Sequence, residues 1–194
     1  MRVLAIAAWR QRVRKKRKVF DLRTWPETSR RDLVFTEHEL GKRLGAYMRL
    51  YLSLESVNSG VLRPWWLVAE DVFVFKNPKV AVIIARNAGM MVGPLEDLAR
   101  APASWEMAAR WRKRLFGLSP FTGRVAAKQA TQALLPQPFR LACAQAAEAL
   151  NAPLEDICDA AGITLAHSML HEDDPAPVLG IDPGKVGAAM LIVP

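Results

Sequence analysis

The chain has 194 residues, 51% of them hydrophobic and 24% charged, a balance that suits one packed domain and excludes global disorder. It carries a net charge of +8 with a pI of about 9.9, which favours a polyanionic partner through phosphate contacts but does not by itself separate DNA from RNA or an anionic membrane. The longest apolar run, residues 80–95, is broken by Arg86 and Asn87, and the N-terminal charge follows its apolar stretch instead of preceding it, so a soluble, cytoplasmic protein with no membrane partner is expected.

The first 13 residues alternate loosely and are compatible with a strand, and KVFDLRTW after them reads as a second strand or a continuation. Between them Arg10, Arg12, Arg14, Lys15, Lys16, Arg17 and Lys18 form a basic block, read as a solvated turn that also suits phosphate tracking by Arg14, Lys15 and Lys16. Thr36 with Glu39 three residues on is a capping box, and Leu40, Leu44, Tyr47, Met48, Tyr51 and Leu54 then repeat at helical spacing up to the Asn58-Ser59-Gly60 turn.

Pro64 precedes WWLVAEDVFVF, an apolar run rich in aromatic and β-branched residues that reads as a central strand. Asn77 suits a helix cap with Pro78 at the first position, and the helix runs to about Leu98. It is apolar nearly all round, which predicts burial on more than one side. Residues 104–116, SWEMAARWRKRLF, fit either a helix or a strand, and Gly117, Ser119, Pro120 and Gly123 make a loop.

Helices are expected over residues 124–135, 138–150 and from Pro153 to about Leu170. Residues 171–177, HEDDPAP, read as a linker, and VLGIDPGKVGAAMLIVP at 178–194 reads as a hairpin around Asp-Pro-Gly. Cys143 and Cys158 have neither zinc nor redox spacing and read as reduced core thiols. His38, His167 and His171 show no metal spacing.

The chemistry is carried by acids. Asp182 ends one strand, Glu70 interrupts another, and Asp156 and Asp159 lie three apart, on one helical face. Each has a plainer reading: Asp182 as a turn former, Glu70 pointing to solvent, and the Asp156–Asp159 pair as a solvated helix start. An acid flanked by apolar residues needs a reason, however, and four such acids suit a pair of hard divalent cations that clamp an in-line phosphoryl displacement.

The ordered blocks GIDPG…GAAMLIV, WLVAEDVFVFKNPKVAVIIARNAG, RKRLFGLSPFTGRVAAKQATQALL and LEDICDAAGITLAHS resemble RuvC-type Holliday junction resolvases of the ribonuclease-H-like superfamily. The resemblance implies an α/β fold with a mixed five-stranded sheet flanked by helices, in one domain spanning residues 1–194. It implies two magnesium ions, with manganese as a substitute, held by Asp182, Glu70, Asp156 and Asp159, and hydrolysis that leaves a 5′ phosphate. Lys113, on the family's basic strand, and Arg124 match its functional basic residues; Lys76 and Phe73 match its Lys-Asn pair and the aromatic at the junction centre, where core packing is the plainer role for Phe73. A homodimer around the apolar helix of residues 77–95 would make paired nicks in a four-way DNA junction.

The order departs from the family, because the GIDPG block comes last. Placed before Met1, residues 178–194 become the first two strands and VLAIAAWRQR the third, which reads as a circular permutation with residues 171–177 as the join. Two other accounts stay open: a terminal hairpin swapped into a neighbouring subunit, or a decayed first strand with Ala7 where Asp belongs. A nuclease for other branched DNA or RNA–DNA hybrids, a non-catalytic nucleic-acid-binding module, and an interaction subunit using the apolar helix alone are the competing functions.

Overall fold

The structure is a computed structural model that describes residues 2–24, 32–59, 65–71, 78–173, 176–184 and 186–194. In chain order it contains β1 (Arg2–Arg14), β2 (Arg17–Thr24), β3 (Asp32–Val34), α1 (Glu37–Ser59), β4 (Trp66–Asp71), α2 (Pro78–Ala99) and β5 (Ser104–Met107). There follow α3 (Ala108–Phe116), α4 (Arg124–Leu134), α5 (Gln137–Leu150), α6 (Leu154–Ser168), a 3-10 turn (Met169–His171), β6 (Val178–Asp182) and β7 (Val186–Val193).

One mixed sheet runs β3-β2-β1-β7-β6-β4-β5. It has seven strands where five were expected, because KVFDLRT folds back on β1 as a full strand and β3 adds to its edge. The tail hairpin lies inside the sheet of its own chain: β7 pairs antiparallel with both β6 and β1, and β6 pairs parallel with β4. Arg2 is the register partner of Val193.

Strand alternation divides the sheet's two faces. Leu67, Ala69, Leu179 and Ile181 pack with Leu40, Leu44, Met48, Met91 and Leu95 of α1 and α2. Val68 and Val178 pack on the other face with Trp111 and Ile163 of α3 and α6. Gly180 lets α6 approach closely, since a Cβ there would overlap the Thr164 side chain and meet the Ala160 carbonyl.

The capping box at α1 forms as its spacing predicts: the Glu39 amide donates to Thr36 Oγ1 (3.1 Å), and Glu39 Oε2 accepts from the Thr36 hydroxyl and the Phe35 amide (both 3.0 Å). The expected burial of α2 on several sides is corrected. Ala88, Met91, Val92 and Leu95 are buried, but Val80, Val82, Ile83 and Met90 are exposed, so the helix packs along one stripe. Its expected cap, Asn77, lies outside the described residues.

The ambiguous stretch 104–116 is both things in turn. Four residues pair with β4 as β5, and α3 then buries Trp111 and ends at Gly117, whose left-handed φ of 68° lets its amide close on the Lys113 carbonyl (2.9 Å).

The β1–β2 hairpin turns on Lys15 and Lys16, both left-handed at φ 49° and 62°, with Arg14 paired to Arg17. That two-residue turn suits Asn-Gly, and L side chains there are strained. The double variant K15N/K16G is expected to stabilise the fold by about 1 kcal/mol, raising the thermal midpoint by about 2–4 °C. An unchanged or lower midpoint in a calorimetric scan would contradict the turn geometry.

Candidate active site

The parallel ladder pairs Ala69 with Ile181, so Glu70 and Asp182 follow one step later on adjacent strands. They share the parity of Val68 and Gly180 and therefore meet the α6 side of the sheet. Asp156 and Asp159 are buried there, in the first two turns of α6. All four acids line one cleft of about 1280 Å³.

Two cations enter the acid cluster. Arg112 donates to Asp159 Oδ1 at 2.7 Å, is braced by Thr131 Oγ1 at 3.3 Å, and lies 4.6 Å from the Trp111 ring centre. Lys128 Nζ lies 2.7 Å from Asp156 Oδ1, 3.5 Å from Asp159 Oδ2 and 3.4 Å from Glu155 Oε1. These carboxylates outweigh the desolvation of Lys128 and raise its pKa. Burial raises Asp156, and Lys128 opposes that rise.

The strand acids receive neutral donors. The Trp111 indole N–H donates to Glu70 Oε2 (3.2 Å) and the Gly184 amide to Asp182 Oδ1 (3.1 Å). Burial, then the charge of Asp159, lifts Glu70 to about 7 despite Arg112, the Trp111 bond and Lys128. Burial, then Glu70, Asp159 and Asp156, lifts Asp182 well above the usual carboxylate range.

The set fits a hard divalent cation by its chemistry. Every donor is an oxygen, the strand acids lack full charge compensation, and the Lys128 ammonium already stands among three carboxylates as a cation would. Among the described residues, no three His, Cys, Asp or Glu side chains form a ready-made metal cage.

The other predicted residues fall as follows. Arg124, at the start of α4, is exposed and lines the cleft. Lys113 was expected on a basic strand; it lies on α3 instead, exposed and outside the cleft lining, because β5 stops at Met107 and helical rotation turns Trp111 and Arg112 inward. Arg14, Lys15 and Lys16 are exposed at the hairpin tip, while Gln11 and Lys18 of the same hairpin line the cleft. Phe73 and Lys76 lie outside the described residues.

Arg112, Lys128, Glu155 and Trp111 are site residues that spacing alone did not single out. Lys128 stands one helical turn after Arg124, which is the signal that marks it. The two cysteines are free and buried, as expected.

His167 and His171, though unremarked by spacing, come within 4.9 Å between ring centres, and His171 stacks on Trp66 at 4.4 Å. Beside them Arg114 grips both oxygens of Glu106 at 2.6 and 3.1 Å and donates to the Ala166 carbonyl at 3.2 Å, tying α3 to β5 and α6. Burial works to raise Glu106, but the bidentate Arg114 and the His167 ring 3.6 Å away prevail and hold it down at about 2.

A carboxyl whose pKa is raised on folding binds its proton more tightly in the folded state. The Glu70 contribution is therefore most favourable below the ordinary value of 4.5 and is lost as pH rises to about 7. With chelator present, the thermal midpoint is expected to fall by several degrees across that window, and Glu70→Gln to flatten the slope; a wild-type slope in the variant would contradict the burial of Glu70. Among the described residues no helix is long and apolar enough to cross a membrane. No family model and no curated protein matches the chain, so the chemistry of the site rests on its own residues.

Proposed function

We propose that this chain is a metal-dependent endonuclease of the RuvC, ribonuclease-H-like kind that cuts four-way DNA junctions, with its first strand supplied by the C-terminal hairpin. The observation that carries the reading is the meeting of Asp182, Glu70, Asp156 and Asp159 in one cleft, from two strands and a helix far apart in sequence. The sheet supports the permuted order, since β7 stands between β6 and β1 as a second strand between a first and a third.

Bound by the four acids, two magnesium ions, or manganese in their place, would supply the Lewis acidity for attack by water and departure of the 3′ oxygen. The chain's own residues do the rest. Trp111 orients the Glu70 carboxylate, while Arg112 and Lys128 hold the α6 acids in place. With Arg124 and Lys18 on the cleft lining, they set positive charge where a phosphate enters, and the basic hairpin tip extends that charge along the backbone of a DNA arm. The exposed apolar side of α2, with Val82 and Ile83, suits pairing with a second copy, which gives two active sites for two opposed strands.

Asp182→Asn or Glu70→Gln is expected to lower junction cleavage by about 10²–10³-fold or more, with junction binding in calcium preserved. Cleavage at the wild-type rate in either variant overturns the assignment. A panel of junctions, flaps, hybrids and linear duplex separates a junction enzyme from a nuclease of broader range, and magnesium-independent binding without any cutting marks a non-catalytic binding protein. Val82→Lys with Ile83→Lys is expected to convert dimer to monomer in sedimentation; an unchanged dimer moves the interface elsewhere.

A further inference from the structure

The loop of residues 117–123 joins α3 to α4 on the rim of the acid cleft, and Leu118, Ser119, Pro120, Phe121 and Thr122 all line it. Within it Phe121 is 94% exposed, more than any other large hydrophobic residue among those described. Single exposed hydrophobic residues are common and carry no meaning alone. Here the backbone beneath the ring is held: the Phe121 amide donates to Ser119 Oγ (3.2 Å) and the Thr122 amide to the Ser119 carbonyl (3.0 Å). The loop is anchored at one end by the left-handed Gly117 and at the other by the first turn of α4, where the Ala127 amide closes on the Gly123 carbonyl (2.9 Å).

The same short segment then presents Arg124 to the cleft and, one turn later, Lys128 to Asp156 and Asp159. An apolar π-face, an exposed guanidinium and a cation at the acids thus follow one another along the chain on the lining of one cleft. That combination supplies the groups a nucleotide needs: a face for the base and cations for its phosphates.

Resting on the nuclease reading, we propose that Phe121 is the platform on which an unstacked nucleobase lies beside the scissile phosphate, so that the substrate class is nucleic acid with a base already out of its stack. An aromatic ring accepts any base, which makes the contact tolerant of sequence. Taking a base out of a continuous duplex is unfavourable, and least so where it is already unpaired or at a branch. Phe121 therefore selects branch points, bulges and single-stranded flanks over linear duplex by structure.

The test uses the full chain in calcium, where binding is read without cutting. With 5-iodouracil placed in turn at each branch-point position of a four-way junction, irradiation is expected to cross-link the peptide that carries Phe121. Phe121→Ala is expected to weaken junction binding by about 10- to 100-fold while leaving linear-duplex binding within about twofold, and Phe121→Trp to restore it. The ring is exposed, so circular dichroism should show both variants folded. Cross-links confined to other peptides, equal losses on junction and duplex, or no loss on either overturn the proposal, as does a protein partner whose binding, instead of DNA binding, depends on the ring. Failure of the nuclease reading is seen separately, as wild-type cutting by the Asp182→Asn variant.

Discussion

The site depends on one pairing, the parallel ladder between β4 and β6. Residues paired across a parallel ladder point to the same face, so the acids that end these two strands reach the α6 side together. A slip of one residue would send Glu70 to the α1–α2 side and break the cluster. What prevents the slip is apolar: Leu67, Ala69, Leu179 and Ile181 must face α1 and α2, while Val68 and Val178 must face α3 and α6. Gly180 adds a second lock, because α6 lies close enough there that any side chain would strike Thr164. The hydrophobic core thus sets the spacing of the charges.

Bringing four carboxylates together has an electrostatic consequence, and the chain meets it unevenly. The helix acids receive charged donors, Arg112 and Lys128, and Asp156 also sits in the first turn of α6, where the helix dipole favours an anion. The strand acids receive an indole N–H and a backbone amide, which compensate a negative charge less well than a cation does. Burial is the largest cause of the rise at Glu70, Asp182 and Asp156 alike, but a bonded ammonium opposes it at Asp156, whereas the direct donors at the strand acids are neutral. This asymmetry leaves the strand side of the cleft with the larger unmet demand for positive charge, next to a helix side where Arg112 and Lys128 meet part of it.

Much of this was legible in the sequence, for reasons that are local. The capping box at Thr36 and Glu39, the Asp-Pro-Gly turn after Asp182, and an acid inside the apolar run at Glu70 are short-range signals with one physical meaning each. Residues 104–116 were not legible, because Ser-Trp-Glu-Met is too short to show strand alternation and is followed at once by a helix whose apolar stripe is narrow. The resemblance put Lys113 forward on a strand; in the helix that forms instead, Arg112 is the residue that reaches Asp159. The one-sided burial of α2 was equally hidden, because an apolar face looks the same in sequence whether it meets the core or solvent. Of the two added strands, β2 was open to either a separate strand or a continuation of β1, and β3, three residues paired to β2, is too short to carry a pattern of its own.

The turn that follows Asp182 joins the two extremes of the chain. Trp9 of β1 donates its indole N–H to the Gly184 carbonyl at 3.2 Å, across 175 residues of sequence, and a side chain at Gly187 would collide with the Trp9 ring. The N-terminal strand is therefore part of the support under the tail acid. The cleft cannot take its final shape until β1, β7 and β6 are zipped together and β4 has docked on their far side, contacts whose loops must close before they are rewarded. Local helices such as α1 and α4 can form without that step, but the acid cluster cannot. Its repulsions are met only in the closed sheet, where Arg112 and Lys128 arrive from α3 and α4, so completion of the global fold and assembly of the site are a single event.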